Sequence, residues 1–324
     1  YDQRFTSWWS QKITLARNQD SNFFYPGTRQ RNLLTGALTV PAGGPNETRV
    51  LTERIEAQEN FQIAKPLLLS TGYQFRKQQG ENDTGLSNKT ITSNAGFAEA
   101  QLNVWDRLFA TAGVRQDSYN VFGDATTYRA TGGYLFTETD TKVRGSYATG
   151  FRAPTINDLF FPDFGNPSLS PEKSRGADIG VDQRFLGDRV RLSGGYFWNR
   201  FQNLILNSNN DPACAPFSTF LSCPRNIGAA VSKGWEASAA VSLVRDRPFM
   251  KNLELQGQYT NTLTRDVSNS LRLSRWPVDQ WSALLTYQPV ESLVTTLAVR
   301  YVGSRFNDLQ NRQPMRAFDV WALT

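Results

Sequence analysis

Histidine is absent from all 324 residues, and with it go Ser–His and Cys–His nucleophilic pairs and any His-ligated metal. Cysteine is almost absent. Cys214 and Cys223 stand nine positions apart among Pro212, Pro216 and Pro224, without CxxC spacing. A loop-closing disulfide formed in an oxidising compartment fits best, with two unrelated free thiols as the alternative. Long apolar runs are missing too: the most apolar stretches, Leu67–Leu69 and Leu293–Val299, fall far short of the roughly 18 residues a spanning helix needs. A bundle of membrane helices is excluded. The chain carries no Gly-rich phosphate loop, zinc cluster or calcium loop, so neither a metal nor a cofactor is expected. No charged-then-apolar leader stands at Tyr1, and any export signal is expected to have been removed or to lie outside these residues.

What is present points elsewhere. Aromatics make up 12% and charged residues 20% of the chain, and the mean hydropathy is −0.47. A closed β-sheet that spans a bilayer in segments of about ten alternating residues averages out to this hydrophilic composition. The net charge of +6 is scattered along the strands and gathered in no run or helix face, so nucleic acid is not expected as a partner.

Period-two alternation recurs along the chain. Ala98, Ala100, Leu102 and Val104 share one face against Glu99, Gln101 and Asn103; after Trp105-Asp106-Arg107 the pattern resumes with Leu108, Ala110, Ala112 and Val114. Ile179 and Val181 oppose Asp178 and Asp182, Tyr196 and Trp198 oppose Ser193 and Asn199, and Trp281 and Leu285 oppose Gln280 and Ser282. Such strands have one apolar and one wet face. About 14 strands are expected by this pattern, near 3–17, 48–62, 67–79, 91–104, 108–120, 125–136, 141–150, 173–186, 189–206, 226–245, 252–264, 276–289, 293–305 and 316–324.

The connections decide the topology. Short turns at 63–66, 105–107, 137–140, 187–188, 246–251 and 290–292 alternate with long loops at 18–47, 80–90, 151–172, 207–225, 265–275 and 306–315, with 121–124 the one short exception. Short periplasmic turns and long external loops belong to an up-and-down barrel of the outer membrane. Aromatics on the apolar phase collect at both strand ends: Tyr128, Tyr147, Trp198, Tyr259 and Tyr301 toward the long loops, Phe61, Phe136, Phe185 and Tyr287 toward the short turns. That is the pattern of paired interfacial girdles. The fold class is therefore all-β, an antiparallel transmembrane up-and-down β-barrel, in the bacterial outer membrane with its lipid and lipopolysaccharide.

The segment from Gly145 through Phe151-Arg152-Ala153-Pro154 to Leu159, followed by Phe164-Gly165-Asn166-Pro167-Ser168-Leu169-Ser170-Pro171-Glu172-Lys173, resembles the mid-barrel signature of TonB-dependent outer-membrane receptors. So do Phe97 through Arg115, the Lys233-Gly234-Trp235-Glu236 run, and Arg275-Trp276-Pro277 with the strands ending at Tyr301-Val302-Gly303. The resemblance covers essentially the whole chain. It implies a barrel of about 22 strands around a plug, importing a scarce nutrient such as a ferric siderophore or cobalamin with energy passed through TonB. Residues 1–324 are then barrel domain, matching the family's seventh to twentieth strands, without plug, TonB box or last strands. A passive diffusion channel is the alternative function; an outer-membrane hydrolase is disfavoured because it wants a histidine.

A receptor for a large nutrient complex binds it with aromatics and arginines on external loops. The candidates are Arg152, Phe160, Phe161 and Phe164 in one loop, and Phe217 and Phe220 in the loop holding the two cysteines. For the Pro-rich signature a structural role is preferred, with Glu172 anchoring the loop through amides or an arginine. Wet-face charges such as Arg54, Glu56, Glu99, Arg115, Arg144, Asp178, Asp182, Arg184 and Arg191 are expected to pair across strands or hold a plug, with a transport path the less favoured reading. Inward carboxylates of this kind also account for any superficial likeness to a glycosidase pair.

Overall fold

In a computed structural model the alternating segments form one antiparallel sheet of 15 strands. The structure describes residues 1–24, 30–31, 38–39, 46–83, 85–86, 88–208, 211–219, 221–226, 228–308 and 310–324, and side chains outside 24–46. The sheet strands are β1 (Asp2–Arg4), β2 (Trp9–Phe24), β3 (Asn46–Ala64), β4 (Leu67–Asn82), β5 (Lys89–Val104), β6 (Leu108–Tyr119), β7 (Gly123–Phe136), β8 (Thr141–Arg152), β9 (Glu172–Phe185), β10 (Val190–Gln202), β11 (Ala229–Arg247), β12 (Met250–Asp266), β13 (Asp279–Val290), β14 (Leu293–Val302) and β15 (Phe318–Leu323). Every strand pairs with its neighbour in sequence, which is up-and-down order.

The count corrects the expected 14 by one. The segment 3–17 holds two strands, because the chain turns at Phe5 and Thr6: the Phe5 amide donates to the Trp9 carbonyl at 3.0 Å, and Thr6 Oγ1 accepts from the Trp9 amide at 3.0 Å. The segment 189–206 also divides. Asn203 takes φ +56°, and beyond it Ile205–Ser208 leaves the sheet to pair with Cys223–Asn226 in a loop ribbon.

Several turns at the short end use left-handed backbone. Trp105 and Asp106 both have φ +54° at the centre of a turn closed by the Arg107 amide on the Val104 carbonyl at 3.1 Å, a pair of positive φ values that matches the twist of the flanking strands. Asp106 also accepts from Asn103 Nδ2 at 3.0 Å. Asp140, Asp188 and Asp246 take positive φ in three of the other short turns, where a short polar side chain lowers the cost.

Register confirms the two faces. Val190, Val241, Leu255, Leu285, Leu297 and Leu323 follow one another across six strands in a single row. Three residues away along the shared strands, an odd offset, the row through Asp182, Ser193, Ser238, Gln258, Ser282 and Arg300 lies on the opposite face. The apolar face is bare: Ile179 is 60% and Trp235 61% exposed. A soluble sheet would bury these side chains at roughly 1.5–3 kcal/mol each; facing hydrocarbon, they need no covering layer. The buried core lies instead at the long-loop end, where Leu86, Ile91, Ile156, Leu159, Leu169 and Ile205 pack together.

Candidate functional site

The β8–β9 connection folds back over the wet face. Its short helix α1 (Ile156–Phe160) begins at Thr155, whose Oγ1 accepts from the Asp158 amide while Asp158 accepts from the Thr155 amide. This reciprocal capping box answers two otherwise unpaired amides. The helix then presents Ile156 and Leu159 to the core, where Val50 and Tyr119 join them. Val50 lies opposite Gly80 in the ladder, and Gly80 is the seat of the helix: a Cβ there would fall 2.5 Å from Ile156 Cγ2. After the helix, Gly165 closes the turn against the Phe160 and Phe161 amides, which a Cβ would approach to 2.6 and 2.5 Å.

Four polar ties join this loop to the one between β10 and β11. Arg152 grips Glu172 with two hydrogen bonds of 2.9 and 2.6 Å, and Glu172 Oε1 also accepts the Ile205 amide at 2.7 Å. Asn166 Nδ2 donates to the Pro224 carbonyl at 3.0 Å in a buried position. Asn226 Oδ1 accepts the Ser170 amide at 2.8 Å. Asp163 accepts from both the amide and the hydroxyl of Thr219 at 2.6 Å, and those hydrogen bonds hold its carboxyl below the usual aspartate range. Within the second loop Cys214 and Cys223 are joined, with Cα atoms 5.5 Å apart. Asp211 caps the 3-10 turn that begins the bridge; hydrogen bonds from the Ala213 amide, Ser208 and Arg225 lower its pKa.

The candidate binding residues take different places in this assembly. Arg152 is engaged by Glu172, with Asp158 Oδ2 3.7 Å away. Phe160 packs against the core, and Lys89 Nζ lies 5.5 Å from its ring centre. Phe161 and Phe164 meet edge to face with centroids 6.3 Å apart, both half-buried. Phe217 is half-buried in the turn after Cys214, where its amide donates to the Cys214 carbonyl at 2.9 Å. Phe220 lies outside the described residues.

A second group escaped sequence reasoning. Phe197, Phe201 and Trp276 line a cavity of about 1010 Å³ in the upper wet face, among the hydroxyls of Ser232, Thr262 and Thr264. The signal was available: Phe197 and Phe201 fall on the polar phase of β10, where a barrel wall has no use for an aromatic unless it meets something in the lumen. The lumen charges answer one another across strands. Arg144 Nε donates to Asp182 at 3.1 Å and Arg191 to Glu254 at 2.9 Å, while Arg115 donates to Asp117 on its own strand and to the neutral Gln74 on β4.

A family model described as TonB dependent receptor-like, beta-barrel, matches residues 1–324. The chain belongs to that family. Its curated relatives include the vitamin B12 transporter BtuB of Photobacterium profundum, 30% identical over 173 residues, covering 52% of this chain and 26% of the relative. Another is an iron-regulated outer membrane virulence protein of Vibrio cholerae serotype O1, 26% identical over 266 residues, covering 73% of this chain and 38% of the relative. Among solved structures, the ferric enterobactin receptor of Pseudomonas aeruginosa superposes with a TM-score of 0.78 at 15% identity, covering 98% of this chain and 52% of that one. The chain thus spans roughly a quarter to two fifths of the curated relatives' length and about half of that solved receptor. As a TonB-dependent receptor barrel it belongs to the bacterial outer membrane, with the bare apolar face toward lipid and the charged face toward the lumen.

Proposed function

We propose that this barrel serves an active-import receptor for a scarce nutrient complex, a ferric siderophore or a cobalamin, within a longer protein whose plug fills the lumen and engages TonB. The observation that supports this reading best is the loop assembly over the wet face: the β8–β9 loop folds inward onto a hydrophobic core and is tied to the next long loop by four separate hydrogen-bonded contacts. A passive pore gains nothing from a built surface over its mouth; a receptor needs one to hold rings and charges in place for a large ligand. In this reading Phe161, Phe164 and Phe217 meet the ligand, and Arg152 and Phe160 hold the surface that presents them.

The test is equilibrium binding by the full-length receptor of a panel of ferric siderophores and cobalamin, with Phe161→Ala, Phe164→Ala and Phe217→Ala beside the wild type. One panel member is expected to bind, and its affinity to fall about tenfold for each ring lost, the scale of a contact worth about 1.4 kcal/mol. Energy-independent uptake in cells without TonB, with no saturable binding, would return the reading to a diffusion channel.

A further inference from the structure

On the outward face the aromatic girdle at the long-loop end is followed by cations that no carboxylate answers among the described residues. Tyr196 and Trp235 sit with ring centroids 4.7 Å apart, and Trp198 lies opposite Lys233 in the ladder. Two residues above Trp198 on the same face comes Arg200, with Arg175 directly opposite it in register. The same row continues through Val231 to Arg265. Lys173 stands one step higher on β9, opposite Gln202.

Like charges directly opposed across a ladder repel, and Arg175 and Arg200 are such a pair. Neither has a hydrogen bond or ion pair among the described residues, and Arg200 Nε is buried without a partner, an arrangement that is destabilising where nothing meets it. Elsewhere on the outward face the same chemistry is neutralised: Arg17 lies 3.6 Å from Glu53, and Arg49 3.6 Å from Glu81. Near the patch the one carboxylate in register among the described residues is Asp279, beside Asn261, and it already accepts from Tyr259 Oη at 2.6 Å and Asn261 Nδ2 at 2.8 Å.

Depth identifies what would answer the charge. From Val190 to Trp198 the outward side chains of β10 are Leu192, Gly194 and Tyr196, without a charge. Eight steps of about 3.4 Å at a tilt near 40° give roughly 21 Å, most of the apolar band of about 25 Å in such barrels. Arg200 then stands just beyond the membrane interface, at headgroup level. We propose that Arg175, Arg200, Lys233 and Arg265 form a clamp for the phosphate groups of a lipopolysaccharide in the outer leaflet, its acyl chains lying along the apolar rows below Trp198 and Trp235. Arg supplies planar paired donors suited to phosphate, and four adjacent strands at about 4.8 Å spacing present the cations over roughly 14 Å, room for more than one phosphate.

The site rests on outer-membrane placement and is independent of which nutrient is carried, so its failure leaves the import reading untouched. The test uses the full-length receptor in detergent, titrated with bis-phosphorylated lipid A and with its dephosphorylated form, and followed by native mass spectrometry. The wild type is expected to bind the phosphorylated lipid at least tenfold more tightly. Arg175→Ala/Arg200→Ala is expected to lose that preference, and Arg175→Lys/Arg200→Lys to keep most of it. Equal binding of both lipids by the wild type, a measurement that needs no variant to fold, would overturn the proposal. So would a double alanine variant that keeps the heat-modifiable gel shift of a folded barrel and the full preference for phosphate.

Discussion

Glu172 holds two partners at once, the Arg152 guanidinium and the Ile205 amide. Replacing it by alanine strands the Ile205 amide and leaves Arg152 only the more distant Asp158 carboxylate, 3.7 Å away. Arg152 is 48% exposed in its side chain, so the ion pair contributes about 1 kcal/mol or less, and the stranded amide about 1 kcal/mol more. Glu172→Ala is therefore expected to leave the barrel folded and speed limited proteolysis within 153–171 severalfold; an unchanged rate would show that the loop is held from elsewhere. Asp163 gives the loop contact a pH dependence. Its folded pKa is lowered by the Thr219 donors, so the tie is at full strength above the usual aspartate value and is lost as pH falls through the lower folded value. Hydrogen exchange in peptides around Thr219 is expected to be flat from neutral pH to about pH 5 once corrected for intrinsic rates, and to rise below about pH 4. Asp163→Asn should abolish that rise.

At the scale of elements, the two long loops behave as one body because a hydrophobic core and a covalent bridge lie inside it. Opening Cys214–Cys223 by replacing both with alanine relaxes a short closed loop, a change of about 2–3 kcal/mol in the chain-entropy description. Binding is expected to weaken more than tenfold while the barrel keeps its heat-modifiable migration, since the bridge lies in the β10–β11 loop and its ribbon, outside the 15-stranded sheet. Gly165→Ala tests the same body from the other side. A Cβ 2.5 Å from the Phe161 amide forces the turn open, at about 1–3 kcal/mol, and is expected to match Glu172→Ala in proteolytic sensitivity. The strands themselves were legible because a single period of two reports both faces. Their ends were not: the turn at Phe5–Trp8 and the break at Asn203 come from local hydrogen bonding and a left-handed residue, which leave the hydrophobic alternation undisturbed.

For the whole molecule the distinction between lipid face and lumen face governs every substitution. Ala239 lies in the outward row with Leu192 and Gly257, and Ser238, its neighbour in the chain, lies in the lumen row with Ser193 and Gln258. Ala239→Arg is expected to cost about 2–4 kcal/mol in bilayer stability; Ser238→Arg is expected to cost less than about 1 kcal/mol, because it meets water and stands near Asp182. Equal penalties, measured by denaturant unfolding of the full-length receptor from lipid vesicles, would remove the assignment of faces.

Strand order, the side each residue faces and the membrane they suit were readable along the chain, because alternation, turn chemistry and loop parity are local properties. The sequence also held the family signature around Arg152 and Glu172. Only in the folded chain does the signature loop turn inward, are Arg152 and Phe160 tied into its support, and do Phe201, Trp276, Arg175 and Arg200 gain particular neighbours. Those outcomes depend on register between strands and on contacts between residues far apart in the chain, such as Asn166 with Pro224, 58 positions away. No periodicity encodes them: they follow from how side chains meet once the sheet has fixed their positions in space.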